Sequence, residues 1–177
     1  MPLDPRNRSQ SSELREKPCF VLIDLETSGL HPKNHEILEV AGLKVQSGYI
    51  IEIFHEFIRP KWPIAPQAQE IHGLTTEFLS VFPDWTKIGP KLAAFMLRWP
   101  MVAYNAPFEK RFLTAKGINM DRPVLDLLQR ARKELQGQSQ NHKLPTVARH
   151  YGFETNFHTA LNDCVVMWRL AKKWGVL

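Results

Sequence analysis

FVLIDLETSGL, residues 20–30, is the stretch on which the reading of the fold turns. Phe20, Val21, Leu22 and Ile23 form an unbroken apolar run without helical spacing, the pattern of a strand buried on both faces. Asp24 and Glu26 follow, two residues apart, just ahead of a Thr27-Ser28-Gly29 turn. Residues i and i+2 of a strand point to the same face, so two carboxylates stand side by side at the end of a core strand. Left alone there, they repel each other and lose hydration. Two arrangements relieve this. One is a divalent cation, and Mg²⁺ and Mn²⁺ favour such oxygen ligands. The other is a structural network in which Arg or Lys pairs with each acid.

Downstream of that strand, EILEVAGLKVQ (residues 36–46) alternates as a second strand. SGY then turns the chain into a third, IIEIFHEFIRP (residues 50–60). Three strands joined by short links predict an antiparallel meander, closed by Pro60, Pro63 and Pro66. Helical patterns follow in PQAQEIH, TTEFLSVF and WTKIGPKLAAFMLRW, the last with Pro90 near its start. PMVAYNA is a brief buried strand, and PFEKRFLTAKG a helix that Gly117 ends. PVLDLLQRARKEL combines a short strand with a helix, QGQSQNH is a polar loop, and two further helices close the chain. There is no internal repeat. The order predicts an α/β or α+β layered domain over residues 19–177, preceded by a flexible polar arm over residues 1–18.

The composition excludes several classes. With 44% hydrophobic and 23% charged residues in 177, the chain suits one domain with a real core. No run approaches the ~18–20 apolar residues that span a bilayer, so no membrane partner is expected. The first residues carry Asp4, Glu13 and Glu16 and lack the apolar centre of a secretory signal. Cys19 and Cys164 have no metal-ligand spacing and are expected as buried, reduced thiols of a cytoplasmic protein. The net charge of +5 fits a polyanionic partner without demanding one.

More acids sit at junctions of the predicted elements. YNAPFEKRFL places Glu109 at a helix start just beyond a short strand, and FHTALND places His158 and Asp163 around the first turn of the last helix. Such junctions are where α/β sheets gather functional groups. Four carboxylates and a histidine there suit two ions about 4 Å apart that activate a water and stabilise a leaving oxygen in phosphodiester cleavage. Five residues separate His158 from Asp163, about 140° of helix rotation, so His158 begins the helix or lies just before it.

DLETSGL, YNAPFEKRFL and HTALND resemble, in order and spacing, the three motifs of the DEDDh 3′–5′ exonucleases. EILEVA, PQAQEIHGLT, VLDLLQRAR and KLPTVARHYG resemble the stretches between them. The resemblance covers about residues 20–174 and looks nearest to the proofreading subunit of bacterial DNA polymerase III and its free-standing relatives. It implies an RNase H-like α/β fold, with a central mixed five-stranded sheet made of the meander and two further strands, flanked by helices. It also implies metal ligation by Asp24, Glu26, Glu109 and Asp163, two divalent ions (Mg²⁺ or Mn²⁺), and His158 as general base. An imidazole suits that task because its unperturbed pKa is about 6.5. Thr27, Ser28, Gly29, Leu30, Gln67, Ile71, His72, Asn105 and Phe108 fall at substrate-binding positions of such enzymes, Asn105 matching the amide that orients the second motif; Leu30, Ile71 and Phe108 can also be read as core.

Three departures stand out. Glu109 replaces the family's usual Asp, Tyr104 a frequent His, and Gln67 a frequent Glu that touches the terminal sugar. The implied activity is removal of nucleoside 5′-monophosphates from single-stranded 3′ ends, DNA favoured, in proofreading or repair. RNA 3′-end trimming is one alternative. The other is a single-strand-binding module weakened at Glu109. The chain ends directly after the last motif helix, so no C-terminal polymerase tether is expected, and recruitment to replication or repair proteins would run through residues 1–18.

Overall fold

The structure, a computed structural model, describes residues 19–177; the polar arm expected over residues 1–18 lies outside the described residues. β1 (Cys19–Thr27), β2 (Ile37–Gln46) and β3 (Tyr49–Phe57) pair antiparallel as the meander. β4 (Met101–Ala103) lies parallel to β1 on its other edge, and β5 (Val124–Asp126) parallel to β4. The sheet order is β3-β2-β1-β4-β5, so β1 is central and mixed in its pairing. That position explains its continuous apolar run: Val21 and Ile23 face one layer, Leu22 the other, and all are fully buried.

Seven helices complete the described chain: α1 (Pro66–His72), α2 (Thr76–Leu79), α3 (Trp85–Met96), α4 (Ala106–Ala115), α5 (Leu127–Glu134), α6 (Leu144–His150) and α7 (Ala160–Lys173). α5, α6 and α7 cover Leu22, Ala41, Leu43 and Val102 on one face. α3 and α4 cover Val21, Ile23, Val40 and Ala103 on the other. A small third cluster, Leu38, Ile64 and Leu79, seats α1 and α2 beside the open end of the sheet.

Pro90 sits inside α3 rather than near its start. The ring removes one backbone donor within the helix. The indole Nε1 of Trp85 donates to the Lys116 carbonyl at 2.9 Å, tying the start of α3 to the end of α4. Cys164 is buried as expected, whereas Cys19, at the open start of β1, is only half-buried.

Gly42 marks where α3 meets the sheet. A Cβ there would lie 2.6 Å from Cε1 of Phe95 and 3.0 Å from Cδ1 of Ile23. Phe95 is itself wedged against Phe54, ring centroids 5.2 Å apart, and under the Lys44 ammonium at 4.7 Å. Gly42→Ala is therefore expected to destabilise by about 1–3 kcal/mol, as overpacking does. Urea unfolding checks it, and an unchanged midpoint would mean that the α3 layer slides freely.

Candidate active site

The parallel arrangement of β1 and β4 brings their C-terminal ends, and the helix starts that follow, to one edge of the sheet. β1 delivers Asp24 and Glu26 there, the first turn of α4 delivers Glu109, and the first turn of α7 delivers Asp163. A bulge in β2 lies opposite the end of β1. Glu26 pairs with Glu39, but Thr27 pairs with Ile37, so Leu38 is the extra residue, β2 bends there, and its ladder with β1 is disrupted where β1 runs into its turn.

His158 lies before α7, one residue ahead of the N-cap Thr159. Its φ of 66° is left-handed, a strain of roughly 1–3 kcal/mol for a residue with a side chain. Its backbone N–H donates to Asp163 Oδ2 at 3.3 Å, which holds that strained turn. Glu26, His158 and Asp163 each bring one ligand atom to within 4.8 Å of the others.

The electrostatics describe a pile-up of acid. Burial pushes the Asp24 carboxyl well above the usual range, and the charges of Asp163, Glu109, Glu26 and Glu39 push it further. Glu26 rises to about 8 through burial, then Asp163 and Glu39. Glu109 also rises to about 8, chiefly by burial, with Asp126 and Glu26 adding to it and Arg111 working against. Asp163 rises to about 7 by burial and Glu39, against the His158 N–H that it accepts.

Among the described residues no Lys or Arg forms an ion pair with Asp24, Glu26, Glu109 or Asp163. The Arg/Lys network open to the sequence reading is thus absent there. Asp163 Oδ1 and Glu109 Oε2 are buried without a hydrogen-bond partner. A donor set of four carboxylates beside one imidazole, with uncompensated charge and orphaned oxygens, fits a hard divalent cation.

Glu109, though one methylene longer than Asp, is only 4% exposed and feels the charge of Glu26, so its carboxylate stays with the others. Tyr104 donates its hydroxyl to the His142 carbonyl at 2.6 Å, tying the end of β4 to the loop before α6.

Beside the acids opens a cavity of about 490 Å³, lined by Glu26, Thr27, Gly29, Leu30, Gln67, Ile71, His72 and Phe108 among others. Leu30 and Ile71 are 70% and 58% exposed, so they are not core; Phe108 is half-buried against Phe112, ring centroids 4.9 Å apart. His72 accepts the Leu74 N–H at Nδ1, which leaves Nε2–H facing the Thr27 carbonyl at 3.3 Å. Burial lowers its pKa, so the ring is neutral around pH 7.

Two expected residues do other work. Ser28 is buried; its Oγ accepts the Glu36 N–H at 2.9 Å and its carbonyl takes the Ala65 N–H, so it fastens the turn instead of lining the cavity. Asn105 is exposed at the N-cap of α4, makes no side-chain capping bond and does not line the cavity; its carbonyl accepts from Phe108 N–H. Gly29 is required by a neighbour, because a Cβ there would meet the His35 ring at 2.2 Å.

One acid escaped the sequence reading. Glu39 on β2 is 1% exposed, cross-strand from Glu26, with Oε1 2.7 Å from His55 Nε2. In EILEVA it stands alone within the strand, where a single acid ordinarily reads as solvent-facing.

The exonuclease family model RNase_T matches residues 21–171, which contain all four acids and His158. The chain belongs to this exonuclease family. Curated relatives of the exonuclease include a DNA polymerase III PolC-type protein of Thermotoga petrophila, 34% identical over 91% of this chain and 12% of that protein. A DNA polymerase III subunit epsilon-like protein of Rhodobacter capsulatus is 32% identical over 92% of this chain and 25% of that protein. The chain thus spans a quarter or less of these relatives. Among solved structures, exonuclease X in complex with 5′-overhanging duplex DNA superposes with a TM-score of 0.73 at 25% identity, covering 88% of this chain and 90% of that one. An E. coli exonuclease I complex with a dT13 oligonucleotide shares the fold, with a TM-score of 0.76 at 20% identity over 89% of this chain and 41% of that one. Among the described residues no helix is long and apolar enough to cross a membrane.

Proposed function

We infer that the domain is a DEDDh-type, two-metal 3′–5′ exonuclease that releases nucleoside 5′-monophosphates from single-stranded nucleic acid, with DNA as its substrate. The observation that carries this reading is the convergence of Asp24, Glu26, Glu109 and Asp163 without a balancing cation, with His158 against two of them. These four carboxylates would hold two divalent ions, Mg²⁺ or Mn²⁺, which supply charge to the attacking and leaving oxygens of the phosphodiester.

The protein's own part is positioning and proton transfer. Leu30, Ile71 and Phe108 take the terminal base by apolar contact, which tolerates any sequence. Neutral His72 and the Thr27 carbonyl form the polar side of that cavity, and Gln67 stands at its rim. The His158 imidazole removes a proton from the water that attacks phosphorus. The P–O3′ bond breaks, the shortened strand leaves with a 3′-hydroxyl, and the terminal nucleotide keeps the phosphate. DNA is favoured because the polymerase III relatives are DNA enzymes by name and the exonuclease X structure holds DNA. The buried, converging position of Glu109 supports an enzyme over a weakened binding module.

The test is incubation with 5′-labelled single-stranded DNA and RNA, with Mg²⁺, Mn²⁺ or EDTA. A ladder shortening from the 3′ end, absent in EDTA and stronger on DNA, is expected. Intact oligonucleotides with either metal, from folded protein, would overturn the reading; faster trimming of RNA would replace the substrate.

A further inference from the structure

A second cavity, about 540 Å³, opens beside the acids and is unaccounted for by the terminal-nucleotide pocket. Its walls come from the end of α6 and from residues 154–158, and they include Arg149, Glu154, Asn156, Phe157 and His158. The two cavities share no lining residue. Yet Glu26 lines the first and His158 the second, and their ligand atoms lie within 4.8 Å of each other. The Glu26–His158 approach therefore links the edges of the two cavities at the acid cluster.

A phosphodiester bound at that cluster has a nucleotide on each side. If the 3′-terminal one fills the Leu30–Ile71–Phe108 cavity, its predecessor lies on the other side of the scissile bond, and the cavity at His158 is an opening next to that point. We propose that this cavity is an upstream-nucleotide site, in which Arg149 holds the backbone phosphate preceding the penultimate residue of a single strand. The proposal rests on the exonuclease reading for the polarity of that strand.

The site is built rather than open loop. The Asn156 carbonyl accepts Asn162 Nδ2–H at 3.0 Å, and His158 N–H is held by Asp163, so the wall is fastened to α7 at two points. Arg149 is exposed and donates through Nε to the Pro145 carbonyl at 3.1 Å, which fixes the guanidinium and leaves both Nη groups outside that bond. A planar fork so placed suits a phosphate. Half-buried Phe157 offers an apolar surface to the base. Glu154, exposed on the same rim, opposes a polyanion, and its charge gives the test a second sign.

Binding of fluorescent oligothymidylate and of thymidine 5′-monophosphate to the full chain is measured by anisotropy and competition, with Ca²⁺ or EDTA to prevent cleavage, across a salt series. Arg149→Gln is expected to weaken the oligonucleotide by about tenfold and to flatten its log K against log salt slope by about 0.7, the loss of one phosphate contact on a single strand. The mononucleotide, which reaches only the terminal cavity, should bind unchanged. Glu154→Gln should tighten the oligonucleotide alone. Equal losses for both ligands, or an unchanged salt slope, would overturn the upstream site. Separately, wild type that binds with this Arg149 dependence but cleaves nothing when Mg²⁺ or Mn²⁺ is supplied would sink the exonuclease reading and leave the strand path standing.

Discussion

Asp24→Asn is expected to lower exonuclease turnover by on the order of 10³, the scale for removing one group that stabilises charge in the transition state. The same substitution should raise the melting temperature of the metal-free protein. Both effects have one cause. Asp24 is the most crowded acid, with burial and four neighbouring carboxylates all opposing its ionisation. An amide of the same shape removes one charge from the cluster and adds an N–H₂ that neighbouring carboxylates can accept. The backbone is undisturbed, because the β1 pairing of Asp24 with Ala41 does not involve the side chain. Nuclease assays and thermal melts in EDTA, run on one preparation, check the pair of outcomes. A variant that melts well below wild type, and loses activity only as it unfolds, would show that the acids hold the fold together rather than a cation.

Much of this arrangement was legible in the chain because it obeys short periods. The i, i+2 spacing of Asp24 and Glu26 fixes a shared face whatever surrounds the strand, and the apolar run before them fixes burial. Glu109 was readable because it follows a strand end and opens a helix, and Asp163 because it lies in the first turn of the last helix, positions that sequence punctuation marks well. Glu39 was not, because a single acid in a strand reads as a solvent-facing residue; only the layer laid over that face by α7 shows it to be buried beside Glu26. Ser28 and Gly29 were assigned to substrate contact, yet their nearest demands are internal, from Glu36, Ala65 and His35. Those partners come from the next loop and from α1, contacts that no local pattern encodes. The second cavity was equally invisible, since it depends on how residues 154–158 lie beside α6.

The cluster also sets how the protein responds to pH. In EDTA the protein should be most stable at mildly acid pH and lose stability as pH rises toward 8. Folded Glu26 and Glu109 titrate at about 8 and Asp163 at about 7, against ordinary values of 4.5 and 3.8. Between those limits the folded chain keeps protons that the unfolded chain has released. Stability then falls with rising pH, because the native state binds more protons than the unfolded one. His72 acts in the opposite sense. Its lowered pKa costs stability as pH drops below its ordinary 6.5, so it limits the gain on the acid side. One histidine is set against four carboxyls, and the net slope between about pH 6 and 8 should be negative. For a chain of this size each kcal/mol lost moves the midpoint by about 2–4 °C. Saturating Mg²⁺ or Mn²⁺ should erase that slope, since a bound cation stabilises the ionised acids and favours the native state by mass action. Melting curves at several pH values, with EDTA and with each metal, decide it. A metal-free protein whose stability stays flat from pH 6 to 8 and falls only below about pH 5, as paired carboxylates with lowered pKa values would make it, would mean that counter-charges already neutralise the acids, and the case for a divalent site would fall with that result.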